Sequence, residues 1–188
     1  MKVQLLAAVL SASCCMAAYG ADTYTVDNKH TSATFSFKHL GFSTFHGKFP
    51  ATSGTIVLDR AQKSGSADIT FEIKSVATGV AKFDEHLRSA EFFDADKFPK
   101  ATFKASKFTF TGDAPSAITG DLTIKDKTRP VTLQITGFKC GDHPMAKVPA
   151  CGADATAKIK RSDFGLEKYV PAVSDEITLA IEVEAMKQ

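Results

Sequence analysis

Ala67-Asp68-Ile69-Thr70-Phe71-Glu72-Ile73-Lys74 alternates strictly between apolar and polar side chains. Neighbouring side chains of a β-strand point to opposite faces. The stretch therefore predicts a strand with one dry and one wet face, as antiparallel sheets have. The same period of two runs outward in both directions. Ser32-Ala33-Thr34-Phe35-Ser36-Phe37-Lys38 carries it toward the N-terminus, and Ile177-Thr178-Leu179-Ala180-Ile181-Glu182-Val183-Glu184 toward the C-terminus. Weaker versions cover Ile56–Leu58, Phe103–Ala105, Phe108–Phe110, Ile118–Ile124, Val131–Ile135 and Ala155–Ile159. Turn residues separate the runs at Ser53-Gly54, Lys63-Ser64-Gly65, Gly112-Asp113 and Lys125-Asp126-Lys127-Thr128, the last of which reads as a hairpin. One segment breaks the rhythm. Between Val80 and Phe93 the apolar residues Val80, Phe83, Leu87, Ala90 and Phe93 recur every three or four positions, which predicts a short helix around 80–93. Eight or more strands with one helical interruption make an all-β domain, either a sandwich or a closed barrel. A sandwich fills its interior, whereas a barrel of about eight strands has room for one small ligand. Alternation alone does not choose between them.

Composition narrows the function classes. The chain has 188 residues, 44% hydrophobic and 23% charged, with a formal net charge of +2. That is enough apolar material for a folded core and too little positive charge for a nucleic-acid binder that works through a basic face. The aromatic content is skewed to 15 Phe against 3 Tyr and no Trp. Phenylalanine lacks a polar handle and favours dry surroundings or an apolar ligand.

Residues 1–20 read as a signal peptide: Lys2, then an apolar run from Val3 to Leu10, then small residues to Ala18-Tyr19-Gly20-Ala21. Cleavage after Gly20 leaves small Ala18 three positions back. A lipoprotein reading would acylate Cys14 or Cys15, but Ser11-Ala12-Ser13 lacks the large aliphatic residue usual before such a cysteine. Export makes the expected location the periplasm, or else the cell surface or medium, and the mature domain residues 21–188. In an oxidising compartment Cys140 and Cys151, across a Gly/Pro-rich loop, read as a disulfide.

Catalytic constellations are absent. There is no G-x-S-x-G, no H-E-x-x-H and no Gly-rich phosphate loop, and Asp163-Phe164-Gly165 stands without the rest of a kinase. No metal is expected, although His39 and His46 flank a turn and could meet across a hairpin. Asp84-Glu85-His86 with Arg88 is the densest ionisable cluster. It reads either as a polar rim for a ligand head group or as a solvated helix face.

Several stretches together resemble a known family. They are Asp27-Asn28-Lys29-His30-Thr31-Ser32-Ala33-Thr34-Phe35, Lys38-His39-Leu40, Phe45-His46-Gly47-Lys48-Phe49 and, most specifically, Phe83-Asp84-Glu85-His86-Leu87-Arg88-Ser89-Ala90-Glu91-Phe92-Phe93-Asp94. Lys97-Phe98-Pro99, Gly120-Asp121-Leu122-Thr123-Ile124, Thr128-Arg129-Pro130-Val131 and Arg161-Ser162-Asp163-Phe164-Gly165 follow in order. The pattern is similar to that of the YceI-like family of exported polyisoprenoid-binding proteins. The resemblance implies a lipocalin-like antiparallel β-barrel of about eight strands around an apolar tunnel, with no catalytic residues. It implies an isoprenoid lipid as ligand, either an isoprenoid quinone such as ubiquinone or a polyprenyl phosphate. Exchange of such a lipid gives a further expectation, transient contact with a membrane surface. Asp126 departs from the glycine common in the family's hairpin turn, and the Cys140–Cys151 loop is local to this chain.

On that reading the inward-facing candidates are Phe35, Phe37, Phe71, Ile73, Phe103, Phe108 and Phe110. Phe83, His86, Leu87, Arg88, Phe92 and Phe93 are expected at the mouth. Two alternatives stay open: an enzyme acting on such a lipid through His86, Arg88 or Asp84, and an interaction protein with a filled barrel.

Overall fold

The computed structural model describes residues 20–188; the proposed signal peptide lies outside the described residues, apart from Gly20. The alternating runs form strands β1 (Asp22–Val26), β2 (Ser32–His39), β3 (Ser43–Phe49), β4 (Thr52–Asp59) and β5 (Ser64–Glu72). Helix α1 (Ala81–Arg88) follows, then β6 (Lys100–Thr111), β7 (Ala114–Ile124), β8 (Lys127–Asp142), β9 (Pro149–Lys160) and β10 (Glu176–Lys187). All pairings are antiparallel. The order β1-β4-β5-β6-β7-β8-β9-β10 returns to β1 through a β1–β10 pairing, which closes an eight-stranded barrel. Closure removes most of the free strand edge that an open sheet would present to other chains.

The two remaining strands prolong the wall. Strand β10 pairs with β1 through Ala185–Lys187 and with β2 through Thr178–Glu182, so β1 and β2 follow one another along it, interrupted at Asp27–Thr31. In the same way β3 and β4 are separated only by Pro50-Ala51, and β3 pairs with β2. Past β5 the wall is joined to β3 by a single bridge, in which the Lys48 and Ala77 amides each donate to the other's carbonyl at 2.9 Å. Following the chain up and down places the β2–β3 turn, the 73–99 connection, the β7–β8 turn and the 161–175 loop at one end. The β4–β5, β6–β7 and β8–β9 turns lie at the other.

Three local features differ from simple alternation. The helix stops at Arg88, because Ser89 is extended, its amide donates to the Glu85 and His86 carbonyls and its hydroxyl to His86; residues 89–93 are turns. Ile73 leaves the strand and begins a 3-10 turn, Ile73–Ser75, where it is almost fully buried. In the β7–β8 hairpin the left-handed residue is Lys125 (φ 56°) and not Asp126, so Asp126 carries no left-handed strain. The expected hairpin register holds, Ile124 facing Lys127.

The Cys140–Cys151 disulfide forms between directly facing residues of β8 and β9, Cα atoms 4.1 Å apart. Beyond Gln134, β8 has no ladder with β7 and pairs on one side only. The bond therefore pins the half-paired part of the longest strand, at the end away from α1. A cross-link over so short a loop is worth about 3 kcal/mol in the chain-entropy model. Reduction should lower the melting temperature by several degrees while a bound ligand stays bound; calorimetry and ligand extraction before and after dithiothreitol read the two effects separately. Loss of ligand on reduction would make this loop a lid.

Candidate functional site

The inward faces enclose a cavity of about 360 Å³. Its size is explained by what alternates around the wall. Phe35 and Phe37 on β2, Phe71 on β5, and Phe103 and Phe108 on β6 reach inward, while Ala33, Ala67, Ala101, Ala153, Ala155 and Ala185 hold other inward positions. Large side chains facing small ones leave a channel where a uniformly large set would fill the barrel. Along one side the rings form a continuous chain, all of them lining the cavity except Phe45. Ring centroids step from Phe83 to Phe45 (5.1 Å), Phe37 (5.4 Å), Phe35 (6.5 Å), Phe49 (5.5 Å) and Phe93 (5.5 Å). Gly47 makes this close approach possible: a Cβ there would lie 2.4 Å from the Phe35 ring.

Of the thirteen sequence candidates, Phe35, Phe37, Phe71, Ile73, Phe83, His86, Leu87, Phe92, Phe93, Phe103 and Phe108 line the cavity. Two do not. Arg88 lies about 100° around the helix from Leu87 and turns away from the interior. Phe110 follows two register shifts in the β6–β7 ladder and packs with Tyr24, Leu58 and Ala185 in a separate cluster at the far end. The first shift, at Ser106, moves the inward phase from Phe103 and Ala105 to Phe108.

Other lining residues escaped notice in the sequence. Phe49 could have been found, since Phe45, Gly47 and Phe49 share one face of β3 opposite Phe37, Phe35 and Ala33. Phe164, Leu166, Lys168, Tyr169 and Val173 come from the 161–175 loop, which has no periodicity to read.

That loop is organised by a buried cation. Arg161 is only 7% exposed, and its guanidinium donates to the carbonyls of Ser174 (2.9 Å), Lys168 (2.8 Å), Val173 (3.0 Å) and Leu166. Burial pushes its pKa down, with Asp175 and Glu167 acting in the opposite sense. Asp175 in turn accepts from the Ser162 amide (2.8 Å) and hydroxyl (2.7 Å).

The exposed lining residues, His39 and Tyr169, are both at the α1 end, which places the opening there. A latch crosses this mouth. Glu91, just after α1, pairs with His86 Nε2 at 2.8 Å and with Lys168 Nζ from the 161–175 loop. The rings of His86 and Phe92 pack edge to face with centroids 4.9 Å apart, and the Tyr169 ring centroid lies 6.4 Å from that of His86. The Lys168 and His86 hydrogen bonds hold the Glu91 carboxyl below its usual range, and Glu91 holds the Lys168 ammonium above its own. Exposed pairs of this kind hold weakly. The sign for Glu91 is that of a depressed carboxylate: its contribution is complete above its unfolded pKa and vanishes as pH falls through the folded one. Glu91→Gln should accelerate release of a bound ligand several-fold at neutral pH, and acid should have the same effect on the unsubstituted protein. Stopped-flow transfer to acceptor vesicles measures both.

The two histidines that could have met across the hairpin do not. His39 pairs with Ser43 and His46 with Ser36, an odd offset that points the two rings to opposite faces of the hairpin. A different group, Asp27, His30 and Glu184, has its ligand atoms within 4.8 Å of one another, but outside the cavity where β1 gives way to β2. His30 Nδ1 and Asp27 satisfy each other at 2.7 Å, raising the imidazole pKa and lowering that of the carboxyl.

Comparison with known proteins agrees with this geometry. A family model described as the YceI-like domain matches residues 24–185. The chain is 39% identical to Protein YceI of Salmonella arizonae over 170 residues, covering 88% of this chain and 87% of that one. The crystal structure of Burkholderia cenocepacia BcnA superposes with a TM-score of 0.72 at 26% identity, covering 85% of this chain and 98% of the other. A polyisoprenoid binding domain from Saccharophagus degradans, implicated in plant cell wall breakdown, has the same fold with a TM-score of 0.64 at 13% identity, over 88% and 98% of the two chains.

Proposed function

From the premise that this chain belongs to the YceI-like family, we propose that it is an exported, non-catalytic carrier that sequesters an isoprenoid lipid in the barrel. The observation that carries the reading is the distribution of polarity along the cavity. Its wall is built of phenylalanine, aliphatic residues and alanine, while His39, His86, Arg161 and Lys168 gather at the mouth. A branched hydrocarbon tail needs area and shape but no hydrogen bonds, and each methylene-sized unit buried contributes roughly 0.8 kcal/mol. A head group left at the mouth meets Lys168, His39 and the Tyr169 hydroxyl. Those groups suit the carbonyls of an isoprenoid quinone such as ubiquinone or the phosphate of a polyprenyl phosphate. The cavity volume is ordinary for an apolar ligand site. A lipid-binding neighbour of the same fold adds support by analogy.

Residues 1–20 serve in this reading as the leader that delivers residues 21–188 to the periplasm. Fractionation with N-terminal sequencing tests that part, a mature start at Ala21 being the expected result. Solvent extraction of the purified protein followed by mass spectrometry tests the ligand. An isoprenoid lipid in stoichiometric amount is expected; protein that is empty and also refuses added ubiquinone and polyprenyl phosphate would overturn the proposal.

A further inference from the structure

We propose that the mouth of the barrel docks onto a phospholipid bilayer through a ring of exposed apolar side chains. The proposal rests on the carrier reading above and names the surface at which loading takes place. Large apolar residues are exposed very unevenly among the described residues. Leu40 and Phe42 in the β2–β3 turn, Val80 at the start of α1, and Tyr169 and Val170 in the 161–175 loop all lie at the mouth, Phe42 being 92% exposed. Met145, 87% exposed, is the counterpart at the opposite end. Single exposed apolar residues are ordinary, whereas their concentration around an opening is not.

The three segments form one connected rim. The Leu40 amide donates to Ala172 at 3.0 Å and His39 bridges Val173, which joins the β2–β3 turn to the 161–175 loop. Phe45 packs edge-on against Phe83, which joins the same hairpin to α1. Backbone conformation makes the choice of residue more telling. Leu40 (φ 51°) and Tyr169 (φ 67°) both occupy the left-handed region, where glycine or asparagine is the less strained occupant of an exposed turn. Backbone preference thus calls for neither side chain, and Leu40 is half exposed in its turn, while Tyr169 rests one side of its ring on His86 and Phe92 and leaves the rest in water.

The partner is a bilayer by chemistry. The cavity's exposed lining residues, His39 and Tyr169, sit inside this rim, so anything entering the barrel passes between its apolar side chains. An isoprenoid lipid resides in a membrane, and a rim that enters the head-group layer lets the tail move from acyl chains to cavity wall without crossing water. Exposed Lys38 and Lys82, each two residues from a rim side chain, lie at the level of lipid phosphates once Leu40, Phe42 and Val80 are inserted. The depth required is shallow, and no helix of the described residues is long and apolar enough to cross a membrane.

Flotation of the full mature protein with vesicles of phosphatidylethanolamine and phosphatidylglycerol tests the proposal. The unsubstituted protein is expected to float, and the paired variant Leu40→Ser with Phe42→Ser to lose tenfold or more of its association. Met145→Ser, which removes an equally exposed residue from the other end, should float unchanged. Absence of flotation, or equal loss in Met145→Ser, overturns the proposal. So does a rim-dependent dimer seen by analytical ultracentrifugation without vesicles, which would make a second copy the partner. Uptake of ubiquinone from detergent micelles reads the cavity independently. A paired variant that loads from micelles but not from vesicles supports docking; protein that floats yet never loads leaves docking standing and removes the carrier reading.

Discussion

Ala155→Phe should abolish ligand loading while leaving the barrel folded. Ala155 lies on β9 between Ile135 and Ile181 in the two ladders, buried and facing the cavity. A benzyl group there occupies space that about four methylene-sized units of an extended tail would otherwise take. At roughly 0.8 kcal/mol per unit the affinity falls by about 3 kcal/mol, more than a hundredfold. The ring enters existing empty volume, so the melting temperature should stay level or rise, unlike the result of overpacking a filled core. Titration with a fluorescent isoprenoid analogue beside a thermal melt gives both readings. Unchanged affinity would mean that the ligand lies outside the barrel.

The second large effect is structural. Arg161→Met keeps an unbranched apolar stem but removes the guanidinium and its four hydrogen bonds to the carbonyls of Leu166, Lys168, Val173 and Ser174. Hydrogen bonds from a charged donor contribute about 1.5–3 kcal/mol each, and some of the freed carbonyls regain water. A net loss of about 3 kcal/mol follows, equivalent to a fall of roughly 6–12 °C in melting temperature for a domain of this size. Because these carbonyls belong to the loop carrying Lys168 and Tyr169, hydrogen exchange should show the damage concentrated in 161–175. Uniform loosening of the whole barrel would assign Arg161 a wider role.

These two sites mark the boundary of what could be read in advance. Ala155 belongs to an alternating run, and once the barrel is closed its direction follows from its neighbours Ala153 and Ala157. Arg161 ends such a run, and nothing in the order of residues says that a cation there turns inward to collect carbonyls. The strands were legible wherever polarity alternates for several residues. Strand β1 was not, because Asp22-Thr23-Tyr24-Thr25-Val26 has too few apolar positions for a period to emerge. Phe103 and Phe108 were identified despite opposite parity, but the extra residue that reconciles them, Ser106, is a property of the β6–β7 ladder. Helix α1 ended earlier than its apolar spacing suggested, since Phe92 and Phe93 reach the cavity from turns. The abundance of phenylalanine could not separate tunnel from filled core. That distinction lies in the alanines opposite the rings, a pattern across strands that is invisible along the chain.

The single bridge between Lys48 and Ala77 has a mechanical consequence. Elsewhere around the barrel, neighbouring strands are joined by ladders of several residue pairs, bulged in places, and increasing the circumference would break several hydrogen bonds together. At this seam the two reciprocal bonds hold β3, with the Ala51 amide donating to the Ser75 hydroxyl at 3.3 Å beside them, and Phe49 and Phe93 on either side meet edge to face. The upper barrel is therefore most weakly closed at this one place, away from the Glu91 pairings. Hydrogen exchange should find the amides of Lys48 and Ala77 among the first of the wall to meet solvent.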